Sequence, residues 1–405
     1  MNEKKNVLFV GSFPPQFGGI SSHLSATVPD LINEGYKVTS LSPAAFNSTE
    51  YDGNFLNIHL KLRIFFLKNF LPVIWFAIKS FHRKANLSLS DYLYAICLAK
   101  KIEILFKSQN FDHIFFYTWK NGFAIPYLES IIQEKSKLHM FMFGGFYEQP
   151  QKYLKLKPNI KMICDSCHSL FASSQYCADS LEKIIGLDNQ VQVIYVGVDV
   201  NLYKPTSSGA LVRKRFGIPS DAVLVVFFGR MNAEMGLDVI LDIVIDILKA
   251  HSEVYFLIAG AKNDLSDRAN KLAQANTRIK YWENVPQSKK PEVFASADIL
   301  LSPTKDLHAC MGVSIKEAMA SGKPVIGSSS GGIPEAISEA DQTGFIANIH
   351  DGHVDSNELI RKLSLLVEDT KLREVIGGNA RLKAEKIFST KGVLEKYKKV
   401  FRDLN

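Results

Sequence analysis

The chain has 405 residues, a formal charge of +7, 46% hydrophobic and 22% charged side chains. That length predicts two or three domains with ample core, and the composition is that of a soluble globular protein. The charge is local: nine cations between 61 and 107 (Lys61, Arg63, Lys68, Lys79, Arg83, Lys84, Lys100, Lys101, Lys107) face only Asp91 and Glu103, which accounts for the whole excess and excludes a diffuse nucleic-acid binder in favour of one basic surface.

The start runs straight into a strand-like Asn6–Val10 without the regions of a secretory signal. Five cysteines form no regular framework, and the lone Cys164-Asp165-Ser166-Cys167 has no second pair, so reduced thiols in a cytoplasm are expected. After the first strand comes a glycine-bearing loop, 11–19, then a helix over 20–34 closed by Gly35 and a strand over 36–41. This opening is Rossmann-like, but it lacks G-x-G-x-x-G, which argues against a dinucleotide site. Gly18 and Gly19 let backbone approach a phosphate closely; the alternative is a loop that needs only positive φ. His23 reads as structural or solvent-facing. The most apolar stretch, 62–78, is too short and too charged to span a bilayer, with Arg63 and Lys68 inside it and Pro72 breaking it. Two readings stay open there. One is a segment in the headgroup layer of an anionic membrane, aided by Lys79, Arg83 and Lys84. The other is a core helix with a solvated basic face.

Strands over 111–117, 138–143, 170–173 and 191–196, with helices over 122–134 and 177–185, complete the first half. His139 lies near the beginning of its strand and points away from the strand's end. Residues 204–209 read as a hinge. Beyond it, strands are expected over 222–228, 254–259, 278–282, 298–302 and 324–327, and helices over 356–368, 372–387 and 393–403. Trp282 is a core residue or a stacking partner for a base. Gly312 opens a helix directly after a strand closed by Ser302-Pro303, and Gly322 ends it. Such a helix start presents free N–H groups and a positive dipole end, which suits a phosphate. Glu317 lies roughly 7–8 Å up that helix. Its side chain leans back toward the start, where one carboxylate can grip a diol. The alternative is one βαβ unit of a parallel sheet and nothing more. Arg230, just after the strand at 222–228, offers a fork that binds phosphate bidentately and stays charged.

Ser302-Pro303, Gly312, Glu317-Ala318-Met319-Ala320, Gly322, Pro324-Val325-Ile326 and Gly331-Gly332-Ile333-Pro334-Glu335, in this order and spacing, resemble the donor-site signature of family 4 glycosyltransferases. The resemblance implies an α/β protein of GT-B fold: two Rossmann-like domains with parallel sheets facing across a cleft, and a C-terminal helix crossing back to the first. The expected division is 1–204 for the acceptor, 205–385 for the nucleotide sugar and 386–405 for the returning helix, with Gly197-Val198-Asp199 similar to the interdomain turn. The resemblance further implies retaining, metal-independent transfer with no cofactor beyond a UDP- or GDP-linked donor. Gly18, Gly19, Gly229, Arg230, Met311, Gly312, Val313 and Glu317 would hold that donor, Arg230 and Glu317 as the catalytic pair, with Asp306 and His308 as sugar contacts.

Three positions depart from the family's pattern. Phe143-Gly144 stands where a histidine often ends the strand, Met235 where a lysine precedes Gly236, and Ala309 where the first of two glutamates belongs. Lys305 and Lys316 are candidates for the charge lost at Met235. The resulting expectation is a glycosyltransferase acting on a glycan or lipid-linked acceptor in cell-surface polysaccharide or glycolipid biosynthesis. Its expected place is the cytoplasm, peripheral on the inner face of the plasma membrane through 61–107. The competing reading is a GT-B pseudoenzyme that binds a sugar nucleotide or a protein partner without turnover.

Overall fold

The computed structural model describes residues 5–14, 18–44, 47–83, 86–128, 136–144, 150–186, 191–206, 208–307 and 310–403. They fall into two compact units, 1–197 with 390–405, and 198–389. The boundary thus precedes the expected 204/205. Val198 donates its N–H to the Phe388 carbonyl at 2.8 Å and Arg381 holds the Val200 and Tyr203 carbonyls, so 198–204 belongs to the second unit. The chain leaves that unit at Thr390 rather than at 386.

The first unit is built on eight strands: β1 (Asn6–Val10), β2 (Lys37–Pro43), β3 (Ser48–Asp52), β4 (Phe55–Leu60), β5 (His113–Tyr117), β6 (Lys137–Met142), β7 (Ser169–Ala172) and β8 (Val191–Val193). Their order is β3-β4-β2-β1-β5-β6-β7-β8, parallel throughout except for β3 against β4. The central strands are apolar runs buried on both faces, as a covered parallel sheet requires. The β3–β4 hairpin turns at Gly53-Asn54, where Gly53 has φ 54°. Instead of a helix over 122–134 there is a four-residue helix, Trp119–Gly122, and a 3₁₀ turn, Ile125–Tyr127; residues 129–135 lie outside the described residues. Two helices not anticipated, Leu89–Phe106 and Pro150–Asp165, cover the sheet connections.

The Gly19–Asn33 helix and the C-terminal Thr390–Asp403 helix share one core with β1 and β5, joining Leu24, Val28 and Leu31 to Tyr397, Val400 and Phe401. His23 is fully buried there rather than facing solvent. Its Nε2 lies 2.7 Å from the Tyr397 hydroxyl, which lies 2.8 Å from that of Tyr117. Burial raises both tyrosines well above their ordinary range. Polar groups in such a core are tolerated because they satisfy one another. His139 is buried too, its Nε2 3.0 Å from His113 Nδ1, and burial holds both rings neutral, that of His113 at about 3.

The second unit has six parallel strands: β9 (Val223–Arg230), β10 (Val254–Ala261), β11 (Ile279–Glu283), β12 (Ile299–Ser302), β13 (Val325–Ser328) and β14 (Phe345–Ala347). Their order is β11-β10-β9-β12-β13-β14. The Leu237–Ala250 helix packs its apolar stripe (Ile240, Val244, Ile247) on one face of this sheet.

Tyr397→Phe should lower stability in urea unfolding by about 1–3 kcal/mol, because one lost hydroxyl removes the shared partner of His23 and Tyr117. A cost near zero would show that the chain of hydroxyls contributes nothing.

Candidate functional site

In the second sheet the chain moves outward from β9 in both directions, to β10 and β11 on one side and β12 to β14 on the other. Where strand order reverses, the following connections go to opposite faces and leave a crevice beyond the carboxyl ends of the two strands. The end of β9, and the loop and helix that follow β12, carry Gly229, Arg230, Met311, Gly312, Val313 and Glu317, most of the residues expected to hold the donor.

β9 ends in Phe228-Gly229-Arg230. The Arg230 side chain is 52% exposed and lies 3.4 Å from Glu234, a solvated pair of small energetic weight. Met235 is half-buried against the core beside Gly229 and brings no cation. Gly236, at φ 76°, opens the Leu237–Ala250 helix; a Cβ there would fall 1.9 Å from the Pro303 carbonyl oxygen, so no other residue fits. The loop after β12 is tied to the same turn. Thr304 Oγ1 and the Lys305 N–H both donate to the Glu234 carbonyl at 2.8 Å. Lys305 also sets its ammonium 2.6 Å from Asp238 in the first turn of that helix, so it stands at the turn where Met235 leaves a charge missing. Lys316, the other candidate, turns inward: it is 2% exposed, with its ammonium 5.7 Å from the Phe388 ring. Burial lowers it to about 8, partly offset by Cys310, Glu317 and Glu335.

Asp306 is half-buried on the loop, its N–H 3.3 Å from Thr304 Oγ1 and its carbonyl accepting from Ser330 Oγ at 2.9 Å. His308 and Ala309 lie outside the described residues. Met311 is buried, Gly312 takes φ 71°, and Val313 begins the Val313–Ala320 helix. The first N–H groups of that helix have no intrahelical acceptor.

Glu317 is 5% exposed. Its Oε1 accepts from the Lys290 ammonium at 2.7 Å, and the Tyr203 hydroxyl lies against the same carboxylate. Lys290 also lies 5.5 Å from the Phe228 ring, so one lysine links the end of β9 to the helix bearing Glu317. Phe294 packs on both Phe228 and Tyr203. Burial, then the neighbouring Glu317 carboxylate, raises the Tyr203 hydroxyl far above its usual range. Arg381 fixes this side by bonding the carbonyls of Tyr203 and Ala320. Lys290, Tyr203 and Arg381 carry no motif and were not anticipated. Trp282 is neither core nor an open platform, because the Arg215 guanidinium covers its ring at 4.2 Å.

In the first unit, Gly18 (φ 140°) precedes the Gly19–Asn33 helix in a loop whose residues 15–17 lie outside the described residues. Gly19 faces the Phe143 ring, and a Cβ on it would come within 3.6 Å. An aromatic ring, 5.6 Å from that of His23, thus occupies the position where the resemblance expects a histidine.

The fold is that of the GT-B glycosyltransferases. It aligns with sucrose-phosphate synthase from Thermosynechococcus elongatus at a TM-score of 0.76, with 15% identity and 99% of each chain covered. It aligns with Anabaena HepE, solved in complex with UDP, at 0.71, with 18% identity, covering 98% of this chain and 100% of that one. Residues 210–383, most of the second unit, match the family model described as Glycosyl transferases group 1. An uncharacterized glycosyltransferase of Methanocaldococcus jannaschii is 23% identical over 343 residues, 82% of each chain. The D-inositol 3-phosphate glycosyltransferase of Streptomyces avermitilis is 28% identical over 202 residues, which span 47% of this chain and 43% of that one.

Lys290→Met should cost about 3–5 kcal/mol in unfolding stability by stranding the Glu317 carboxylate, and adding Glu317→Leu should restore most of it. A single-variant cost below about 1 kcal/mol would mean that water already solvates the pair. Lys316 predicts a pH effect. The folded chain releases this proton near pH 8 and the unfolded chain near 10.5, so below 8 both states hold it. Stability should therefore rise across that window by about 3 kcal/mol relative to Lys316→Met, which lacks the titration.

Proposed function

We propose that the chain is a retaining, metal-independent glycosyltransferase that moves a sugar from a UDP- or GDP-linked donor to a glycan or lipid-linked acceptor. The observation that carries this reading is the reversal of strand order between β9 and β12, with Arg230 ending β9 and the Gly312 helix start following β12. A departing nucleoside diphosphate gains negative charge as the glycosidic bond breaks. Arg230 and the backbone N–H groups of Met311, Gly312 and Val313 would stabilise that charge, the kind of electrostatic contribution that supplies large rate effects. Gly229 lets the phosphates pass close to the end of β9. Glu317, a carboxylate that Lys290 holds through one oxygen, would accept from the ribose diol. Asp306, and His308 by sequence alone, would meet the sugar hydroxyls. The UDP held by HepE makes a uridine nucleotide the first ligand to try. Cell-surface polysaccharide or glycolipid assembly at the cytoplasmic face is the setting this chemistry fits.

Calorimetric titration with UDP and GDP tests the binding step. Arg230→Ala should weaken UDP by roughly tenfold or more, the weight of a charged hydrogen bond. Glu317→Gln should weaken UDP but leave inorganic pyrophosphate unaffected. Absence of nucleotide binding, or indifference to Arg230→Ala, would overturn the donor site. Turnover over candidate acceptors in the presence of a chelator tests the rest: activity lost with the metal defeats the metal-independent mechanism, and donor binding without turnover on any acceptor favours the pseudoenzyme.

A further inference from the structure

The Phe70–Ser80 helix has two apolar faces. Val73, Ala77 and Ser80 point inward and are buried, and the Ala77 carbonyl accepts from the Tyr92 hydroxyl of the Leu89–Phe106 helix. On the opposite side Leu71, Trp75 and Ile78 follow the same i, i+4, i+7 spacing and are 77%, 63% and 72% exposed. Leu67 continues this line at 73% exposure, and Phe70 and Phe81 flank it at 50% and 59%, the Phe81 ring lying 5.9 Å from that of Tyr92. The core-helix reading of 62–78 fails here, because a core helix does not turn its largest side chains to water. The break falls at Asn69, between the Leu62–Lys68 and Phe70–Ser80 helices, while Pro72 sits harmlessly in the first turn of the second.

A contiguous exposed apolar face of this kind marks an interaction surface, and charge selects the partner. No Asp or Glu stands between Asp52 and Asp91, whereas Lys61, Arg63, Lys68, Lys79, Arg83 and Lys84 all do. Arg63, Lys68 and Lys79 are exposed, and the Lys79 ammonium lies 5.3 Å from the Trp75 ring. Apolar side chains on one line with cations beside them and no anions match the interfacial layer of an anionic bilayer, where apolar groups enter the acyl boundary and ammonium groups stay at the phosphates. Eleven residues make a helix about 16 Å long, half the hydrocarbon thickness. Among the described residues no helix is long and apolar enough to cross a membrane, so the contact lies in the plane of the surface.

We propose that the outer stripe of 67–78, centred on Leu71, Trp75 and Ile78, docks this protein on an anionic lipid bilayer. This inference does not rest on the sugar-transfer reading. Full-length protein sedimented with phosphatidylcholine vesicles should bind well only when phosphatidylglycerol is included, and added salt should weaken that binding. Trp75 emission should shift to the blue and be quenched by lipid-borne quenchers, while Trp75→Phe keeps binding and loses the shift. Leu71→Glu with Trp75→Glu, at exposed positions that leave the core intact, should reduce vesicle partitioning by roughly tenfold or more. Lys68→Glu with Lys79→Glu should reduce both binding and its salt dependence. Equal binding to neutral vesicles, or binding unchanged in the Leu71/Trp75 variant, overturns the proposal. So does a dimer that this variant converts to monomer without any vesicle binding, which would assign the face to a second copy of the chain.

Discussion

The second unit turns on the contact between Gly236 and the carbonyl of Pro303. Strands β9 and β12 are neighbours whose following loops would separate, yet the backbone of the turn at 234–236 presses against the loop at 303–305. Only a residue without Cβ and with positive φ permits this approach, and the Glu234 carbonyl then receives two donors from the opposite loop. The loops become one piece. The backbone that ends β9 at Arg230 and the loop that leads to the helix beginning at Val313 are thereby braced against each other.

Beneath that piece lies a paired charge. Glu317 is buried, one oxygen is held by Lys290, and the Tyr203 hydroxyl is the other polar group against the carboxylate. Phe228, Phe294 and Tyr203 surround the pair and keep water scarce, while Arg381 ties Tyr203 to the last turn of the helix.

The parts legible in the sequence are those where backbone geometry leaves no choice of residue. Gly312 and Gly322 take φ near 70°, and Gly236 touches a carbonyl, so spacing alone marks them. Glu317 could be placed because helix geometry fixes its side. Lys290 could not, since its role comes from a contact across 27 positions and no local pattern announces it. Tyr203 and Arg381 are hidden for the same reason. The β3–β4 hairpin was readable in principle from its Gly53-Asn54 turn, but the short polar run before it lacks apolar alternation. The strand ends moved by a few residues, as hydrogen bonding rather than hydropathy decides them. His23 was ambiguous between core and surface until its partner, on a helix 374 positions away, was in place.

The region 62–81 shows why composition alone could not decide its role. A helix apolar all round satisfies a core and an interfacial segment equally well, because both want Leu, Phe, Trp and Ile at helical spacing. What separates them is whether a second layer covers the outer face. In this unit Val73, Ala77 and Ser80, with the Phe76 and Phe81 rings beside them, face the Leu89–Phe106 helix, and Leu71, Trp75 and Ile78 remain exposed. The cations follow the same division: Lys100 is paired with Glu103 at 2.7 Å, whereas the segment between Asp52 and Asp91 holds no acid to pair with. The charge excess of the whole chain therefore sits beside its largest apolar side chains left in water, a combination that raises the free energy of the isolated chain and is lowered by a surface both greasy and negative.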